Sequence, residues 1–215
     1  MVDSHCSVAV MEVSSHALAQ DRVSGCEYDV AVFSNLTQDH LDFHKTMEEY
    51  FQAKLRLFTG LTGTKKPNKR AIVNSDDPSG ARIASLSAAP VWTYGIQGRA
   101  DLRAEQVRLT LNGTTFTAAT PAGTFPVESH LVGEHNVYNL LAAIGVALHE
   151  GASVDQLRML HRSLGIDRVV VDAKGRAKGN SWAEQLLGDG RLTPPTPGHS
   201  LVLALDDDLQ ATAEK

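Results

Sequence analysis

The chain has 215 residues, which is enough for one large domain or two small ones with a buried core. Hydrophobic residues make up 42% and charged residues 21%, the ordinary composition of a soluble globular protein. The net charge of −5 gives no sign of binding to nucleic acid or an anionic membrane, and the apolar runs are too short for a transmembrane helix. Cys6 and Cys26 have no metal-site spacing, so a reducing cytoplasm is the simplest location.

Short apolar runs alternate with helical patterns in the first half of the chain. The runs predict strands over residues 8–13, 29–34, 70–74 and 91–94, with helices over 46–58 and 79–88. This alternation is typical of an α/β fold, in which helices flank a mostly parallel sheet. Residues 101–129 instead alternate with a period of two around turn signals at residues 112–113 and 121–123, which predicts a small antiparallel β insertion.

The second half begins with a clear helical pattern and then loses its regularity. Asn136 opens an apolar helix that ends near Gly151, and a second helix is predicted over residues 154–163. Beyond these, weaker patterns predict strands over 169–172 and 201–205 and a helical turn over 181–187, among Gly- and Pro-rich pieces. We therefore expect residues 1–165 to form one domain and residues 166–215 a divergent tail, disordered or out of frame.

Lys54 lies on the apolar stripe of the helix predicted over residues 46–58. It follows Phe51 by three positions and Tyr50 by four, so all three share one helix face. Burying an ammonium group is unfavourable unless it is paired or neutralised. Two interpretations remain: the lysine extends along its stem to solvent, or it belongs to a polar site.

Polar side chains follow the ends of the first two predicted strands. Glu12 ends the first strand, and Asn35, Asp39 and His40 follow the second. Because ligands of open α/β sheets bind at the carboxyl ends of the strands, these residues are site candidates, and carboxylates there suit Mg²⁺ with a phosphate ligand. A zinc site at His40 and His44 is an alternative, although no H-E-x-x-H motif surrounds them.

Five segments together resemble the central domain of the Mur ligase family, and of its types the UDP-N-acetylmuramoyl-tripeptide synthetases most. They are MEVSSHALAQDRV (11–23), FSNLTQDHLDFH (33–44), AKLRLF (53–58), VNSDD (73–77) and GEHNVYNLLAAIGVAL (133–148). The resemblance covers residues 5–165 and implies an ATP-dependent ligase that adds the third amino acid of the peptidoglycan peptide. In such ligases ATP phosphorylates a substrate carboxylate, and the amine of the incoming amino acid attacks the acyl phosphate, releasing ADP and phosphate.

The resemblance also implies roles for individual residues. Glu12 and His40 match Mg²⁺ ligands, and Lys54 matches a lysine that becomes carbamylated. Asn139 matches the residue that contacts the adenine of ATP, and Asn136 beside it is a second nucleotide contact, a helix N-cap or both. The residues that match those holding the UDP-N-acetylmuramoyl-dipeptide are Ser14, Gln20 and Arg22.

The sequence departs from the family pattern at both ends. The family's T-G-T-x-G-K-T phosphate loop has no counterpart, since GLTGTKK (60–66) fails the G-x-x-x-x-G-K-[ST] pattern. The family's G-R-x-E and D-Y-A-H-T-P segments do not follow residue 165. We therefore expect the isolated chain to be inactive as a ligase. The alternatives are a catalytically inactive nucleotide- or partner-binding remnant and, less in keeping with the motifs, a zinc hydrolase.

Overall fold

The computed structural model describes residues 9–37, 43–63, 66–163 and 204–205. His40 and Asp39 lie outside the described residues, as does the whole predicted tail apart from residues 204–205. The predictions made for strand 169–172, for the turn at 181–187 and for disorder of the tail therefore stay predictions.

Five helices and eight strands form the described part of the chain. In chain order they are β1 (Met11–Glu12), α1 (Ser15–Ala19), β2 (Val30–Phe33), α2 (Met47–Thr59), β3 (Arg70–Asn74), α3 (Gly80–Leu86), β4 (Val91–Gly95), β5 (Leu102–Thr110), β6 (Gly113–Thr120), β7 (Gly123–Ser129), α4 (Glu134–His149), α5 (Val154–Ser163) and β8 (Ala204–Leu205). No helix in this part of the chain has the length and apolarity needed to cross a lipid bilayer.

A six-stranded sheet carries the fold, with its strands in the order β2-β3-β4-β5-β6-β7. The neighbours from β2 to β5 pair in parallel, whereas β6 and β7 are antiparallel to the strands before them. The predicted α/β class is confirmed, and so is the antiparallel meander. The meander is joined to the parallel strands by the pairing of β4 with β5, where Tyr94 lies opposite Leu102, so it extends the same sheet.

Both faces of the sheet are covered because β2 and β3 are apolar at successive positions. Ala31 and Phe33 pack with apolar residues of α1, α2 and α3 on one face. Val30 and Val32 point the other way and pack in the cluster that contains α4. Strands that are buried on both faces need uninterrupted apolar runs, and this explains the strength of their sequence signal. Their carboxyl ends meet at one edge, where polar residues follow.

Helix α4 begins at Glu134, so the prediction that Asn136 opens the helix is wrong at this boundary. The N-cap is Gly133, whose φ of 104° lies in a region that glycine adopts without the strain of a Cβ atom. Asn136 instead lies in the first turn, where its side-chain amide donates to the carbonyl of Val132 at 2.9 Å. The helix therefore begins after Gly133, whereas the sequence pattern placed its start at Asn136.

Strand β1 is shorter than the predicted strand over residues 8–13. It pairs in parallel with β8, so that Met11 lies opposite Ala204 and Glu12 opposite Leu205. Strand β8 falls within the strand that the sequence predicted over residues 201–205.

Candidate functional site

A cleft with a volume of about 360 Å³ lies where the carboxyl ends of β2, β3 and β4 face the start of α4. Polar residues that follow the strands supply most of its wall, and α4 supplies the rest. The lining residues are Ser34, Asn35, Thr37, Asn74, Asp76, Asp77, Pro78, Gln97, Glu134, His135, Tyr138 and Asn139. The cleft has the size of a small-molecule site, which is typically at least ~300 Å³.

Asp76 connects three parts of this cleft through one carboxylate. Its oxygens accept hydrogen bonds from the backbone N–H groups of Ile96 at 2.6 Å, Gln97 at 2.9 Å and Gly98 at 3.2 Å. The hydroxyl of Tyr138 on α4 donates to the same carboxylate at 3.0 Å. The loop after β4 and the first turns of α4 are therefore fixed to the end of β3.

The charge states of this pair follow from burial and hydrogen bonding. Burial raises the pKa of Asp76, but the three backbone N–H groups and the Tyr138 hydroxyl outweigh that effect, so its pKa is lowered from the ordinary value. Burial, followed by the hydrogen bond to Asp76, raises the pKa of Tyr138. At neutral pH the cleft therefore contains an anionic Asp76 and a protonated Tyr138 that donates to it.

Asp77 and Asn74 hold the end of β2 against the end of β3. The Asp77 carboxylate accepts the N–H of Leu36 at 2.9 Å and the N–H of Ser79 at 2.7 Å. The side-chain amide of Asn74 donates to the carbonyl of Ser34 at 2.7 Å. The bonds to Leu36 and Ser34 cross between neighbouring strand ends and give the floor of the cleft a defined shape.

Lys54 is buried at the same edge of the sheet, with only 5% of its surface exposed. Its Nζ atom donates to the carbonyl of Asn35 at 3.3 Å and lies 4.8 Å from the centroid of the Tyr50 ring. The lysine therefore does not extend to solvent, and its role in a polar site stays a prediction. Glu12 lies exposed at the end of β1. The grouping of Glu12, His40 and Lys54 in one metal site stays a prediction.

His44 takes part in the packing beside this edge. Its Nε2 atom lies 2.9 Å from the hydroxyl of Ser15, and both residues are buried. The imidazole also stacks on the Tyr50 ring, with 5.2 Å between centroids. Within residues 9–37, 43–63 and 66–163, no three His, Cys, Asp or Glu side chains are grouped as metal ligands. Because His40 lies outside the described residues, the zinc interpretation is not tested by them.

The residues predicted to hold the dipeptide substrate lie around α1. Ser14 is the N-cap and accepts the N–H of Ala17 at 3.2 Å, Gln20 is the C-cap, and Arg22 is exposed just beyond it. The structure gathers them on one short element, outside the lining of the cleft. Their substrate role stays a prediction.

The two predicted nucleotide residues are linked to each other. Asn139 lines the cleft, and its side-chain amide donates to Asn136 Oδ1 at 3.2 Å. Asn136 is itself held by Val132. The structure thus places Asn139 at the cleft and Asn136 behind it as a support.

Three residues that shape the cleft were not predicted from the sequence, namely Asp76, Asp77 and Tyr138. The two aspartates follow β3, so the rule that was applied to the ends of β1 and β2 would have found them. Tyr138 carries no such signal, since it is an aromatic residue inside an apolar helical pattern.

The family model for the Mur ligase middle domain matches residues 1–147 of the chain. UDP-N-acetylmuramoyl-L-alanyl-D-glutamate–2,6-diaminopimelate ligase of Geobacter metallireducens is 49% identical over 160 residues, which cover 74% of this chain and 31% of that protein. The ligase of the same name from Bacillus velezensis is 50% identical over 160 residues, covering 73% of this chain and 32% of that protein. The chain thus spans about a third of the length of these relatives.

Solved structures agree with this match. The structure of a UDP-N-acetylmuramoyl-L-alanyl-D-glutamate–2,6-diaminopimelate ligase superposes with a TM-score of 0.63 and 34% identity, covering 74% of this chain and 33% of that chain. A crystal structure of MurF from Acinetobacter baumannii superposes with a TM-score of 0.55 and 26% identity, covering 63% and 28%. With well over half of its length matched by the family model, the chain belongs to the Mur ligase family.

Proposed function

We propose that this chain is the central part of an ATP-dependent ligase that adds the third amino acid to UDP-N-acetylmuramoyl-dipeptide in cytoplasmic peptidoglycan synthesis. The observation that carries the proposal is the polar cleft at the carboxyl edge of the sheet, beside a buried lysine. It lies in a segment that is 50% identical to a diaminopimelate ligase over 160 residues. The names of those relatives support diaminopimelate as the amino acid that is added.

ATP is the proposed ligand of the cleft. Asn139 offers a side-chain amide, which has both donor and acceptor atoms and so matches the edge of an adenine ring. The hydrogen bond to Asn136 fixes the orientation of that amide, and the bond between Tyr138 and Asp76 fixes the helix that carries it. The base would therefore meet a site whose shape exists before binding, which lowers the entropy that binding costs.

Mg²⁺ and Lys54 are proposed to act at the phosphoryl group that is transferred from ATP. When bound, Mg²⁺ neutralises charge on the phosphoryl group during its transfer. The carboxylate of Glu12 is an oxygen ligand of the kind that Mg²⁺ prefers, and His40 is the second proposed ligand. The Lys54 ammonium would first lose a proton, and the neutral amine would then bond to CO₂ and lose a second proton. A carbamate anion suited to a cation site would thus replace a buried cation.

The dipeptide substrate is proposed to lie at α1. The exposed guanidinium of Arg22 can bind a carboxylate with two parallel hydrogen bonds. Ser14 and Gln20 add neutral hydrogen-bonding groups at the two ends of the same helix. Neither a nucleic acid nor a membrane is needed as a partner.

The proposal is tested by grafting residues 9–163 into the Bacillus velezensis ligase in place of its matching segment. We expect the chimera to release ADP in the presence of the UDP-N-acetylmuramoyl-dipeptide and diaminopimelate. Lys54→Ala in this chimera should lower kcat by about 100-fold or more, because a group that positions charge at the phosphoryl end is lost. Lys45→Ala, which removes an exposed lysine, is the matched control. Equal rates for the two variants would refute the role of Lys54, and an inactive but folded chimera would refute the proposed function.

A second candidate function is nucleotide binding without turnover. The position of Asn139 in the lining of the cleft favours it, because that side-chain amide can bind a base without any catalytic group. ATP binding by the folded chimera in the absence of ADP release distinguishes it from the ligase function.

A further inference from the structure

Two polar groups just after β2 are buried without partners. Ser34 Oγ and Asn35 Oδ1 have no hydrogen-bond partner among the described residues. Ser34 is only 8% exposed, and both residues line the cleft. A buried polar atom that makes no hydrogen bond destabilises a folded protein, so its presence at a cleft indicates a group that arrives from outside the chain.

The backbone that carries these two side chains is fixed from several directions. The carbonyl oxygens of residues 33–35 accept hydrogen bonds, in chain order, from the Tyr94 hydroxyl at 3.0 Å, Asn74 Nδ2 at 2.7 Å and Lys54 Nζ at 3.3 Å. The next backbone N–H donates to Asp77 at 2.9 Å. Four consecutive residues are thus held by side chains from other parts of the chain, while Ser34 Oγ and Asn35 Oδ1 make no hydrogen bond to the described residues. Binding sites need such supported geometry, and simple packing does not.

The chemistry of the two atoms restricts the ligand group. A carbonyl oxygen such as Asn35 Oδ1 can only accept, so its partner must donate a hydrogen, which an ionised phosphate cannot do. The anionic Asp76 in the same cleft further disfavours a phosphate at this position. A hydroxyl group can donate to Asn35 and either donate to or accept from Ser34. A pair of neighbouring hydroxyl groups, as on a ribose, satisfies both atoms.

We infer that Ser34 and Asn35 bind the ribose hydroxyl groups of the nucleotide, an inference that rests on the proposed nucleotide site. The sugar lies at the end of β2, and the base lies at Asn139 on α4. Both positions belong to the lining of one cleft, so a single nucleoside spans them.

The test compares ATP with 2′,3′-dideoxy-ATP, both titrated by NMR into the 215-residue chain. Ser34→Ala and Asn35→Leu should each weaken ATP binding by about fivefold, the loss expected for one hydrogen bond. Neither change should alter the affinity for the dideoxy nucleotide, which lacks the hydroxyl groups. Ser85→Ala, which removes an exposed serine hydroxyl on α3, is the matched control and should affect neither ligand.

Thermal unfolding of the ligand-free variants gives a second measurement. Ser34→Ala removes a buried hydroxyl that has no partner among the described residues, so the melting midpoint should rise by about 2–4 °C. A hydroxyl with a structural role would give a lower midpoint instead, and this result would contradict the inference.

Each remaining outcome has a definite meaning. If the unchanged chain binds neither nucleotide, both the proposed nucleotide site and this inference are wrong. If ATP binds and the variants lose affinity equally for both nucleotides, or only when Mg²⁺ is present, a hydrated cation occupies the position and the ribose assignment is wrong. If ATP binds and the variants change nothing, ordered water satisfies the two atoms and the inference also fails.

Discussion

Asp76 shows how one side chain determines the shape of the cleft, and it permits a direct test. Asn at this position keeps the size of the side chain but removes the charge and places an N–H₂ group among hydrogen-bond donors. We expect Asp76→Asn to lower the free energy of unfolding at neutral pH by about 2 kcal/mol, because hydrogen bonds to a charged acceptor are stronger than neutral ones. Urea denaturation followed by circular dichroism measures this change.

The effect of Asp76 should depend on pH. Its pKa in the folded chain is lowered below the ordinary value of 3.8. Its stabilisation is therefore complete above that ordinary value and is lost as the pH falls through the lower, folded value. The difference between the unchanged chain and Asp76→Asn should shrink below about pH 4. Glu128→Gln removes an exposed carboxylate and serves as the control. A difference that stays constant from neutral to acidic pH would contradict the proposed cause.

Lys54 shows what a sequence can predict about a single residue. Its place on an apolar helix face indicated a buried ammonium, and the structure confirms the burial. The sequence does not show whether the Lys54 side chain extends to solvent, because that depends on which residues from other parts of the chain pack against the helix. The carbonyl of Asn35, in the loop after β2, decides it.

At the scale of elements, the contact between α4 and the sheet depends on Gly145. A Cβ atom there would lie 3.2 Å from Leu102 Cδ2 and 3.3 Å from Ile72 Cγ2, closer than side chains normally pack. Gly145→Ala should change the unfolding free energy little, because a gain in helix propensity of about 1 kcal/mol offsets the crowding. Gly145→Val should lower it by about 2–3 kcal/mol, since the larger side chain overpacks this interface.

Urea denaturation of the two Gly145 variants tests this packing. Ala143→Val, on the exposed side of the same helix, is the control and should cost only about 0.5 kcal/mol of helix propensity. If Gly145→Val and Ala143→Val have the same effect, α4 does not approach the sheet as closely as the structure indicates.

The parallel strands were predictable because burial on both faces requires uninterrupted apolar sequence. The predicted strand over residues 70–74 matches β3, and that over 29–34 contains β2. The attachment of the antiparallel meander to the sheet was not predictable, because alternation identifies a strand but not its neighbour. The start of α4 was misplaced since asparagine and glycine are both favourable N-caps, and only the backbone conformation of Gly133 distinguishes them.

At the scale of the whole molecule, the cleft combines residues that are far apart in the chain. Asn35 and Lys54 could be found locally, because Asn35 follows a predicted strand and Lys54 lies on the apolar face of a predicted helix. The bond between Asp76 and Tyr138 joins positions 62 residues apart, and no local pattern indicates it. The sequence therefore predicts the edge of the sheet at which the site lies but not the network that shapes it.

We expect the isolated chain not to be a working ligase, because it has side chains for part of the proposed nucleotide site but no phosphate-binding loop. The cleft contains the side chains proposed to bind the base and the sugar, but phosphates are best held by the backbone N–H groups of a Gly-rich loop at a helix N-terminus. The 215 residues contain no G-x-x-x-x-G-K-[ST] segment to supply one. We expect ATP to bind no more tightly than a Kd of roughly 1 mM, about −4 kcal/mol.

Calorimetry of ATP binding and a coupled assay of ADP release measure the two parts of this prediction. No ADP release should depend on the UDP-N-acetylmuramoyl-dipeptide, because the phosphoryl donor, the carboxylate and the amine are not held in line, and lost positioning lowers rates by orders of magnitude. The full-length Bacillus velezensis ligase is the positive control for the assay. Micromolar ATP affinity or substrate-dependent turnover by the chain alone would contradict the prediction, and it would mean that another segment of these 215 residues takes the place of the phosphate loop.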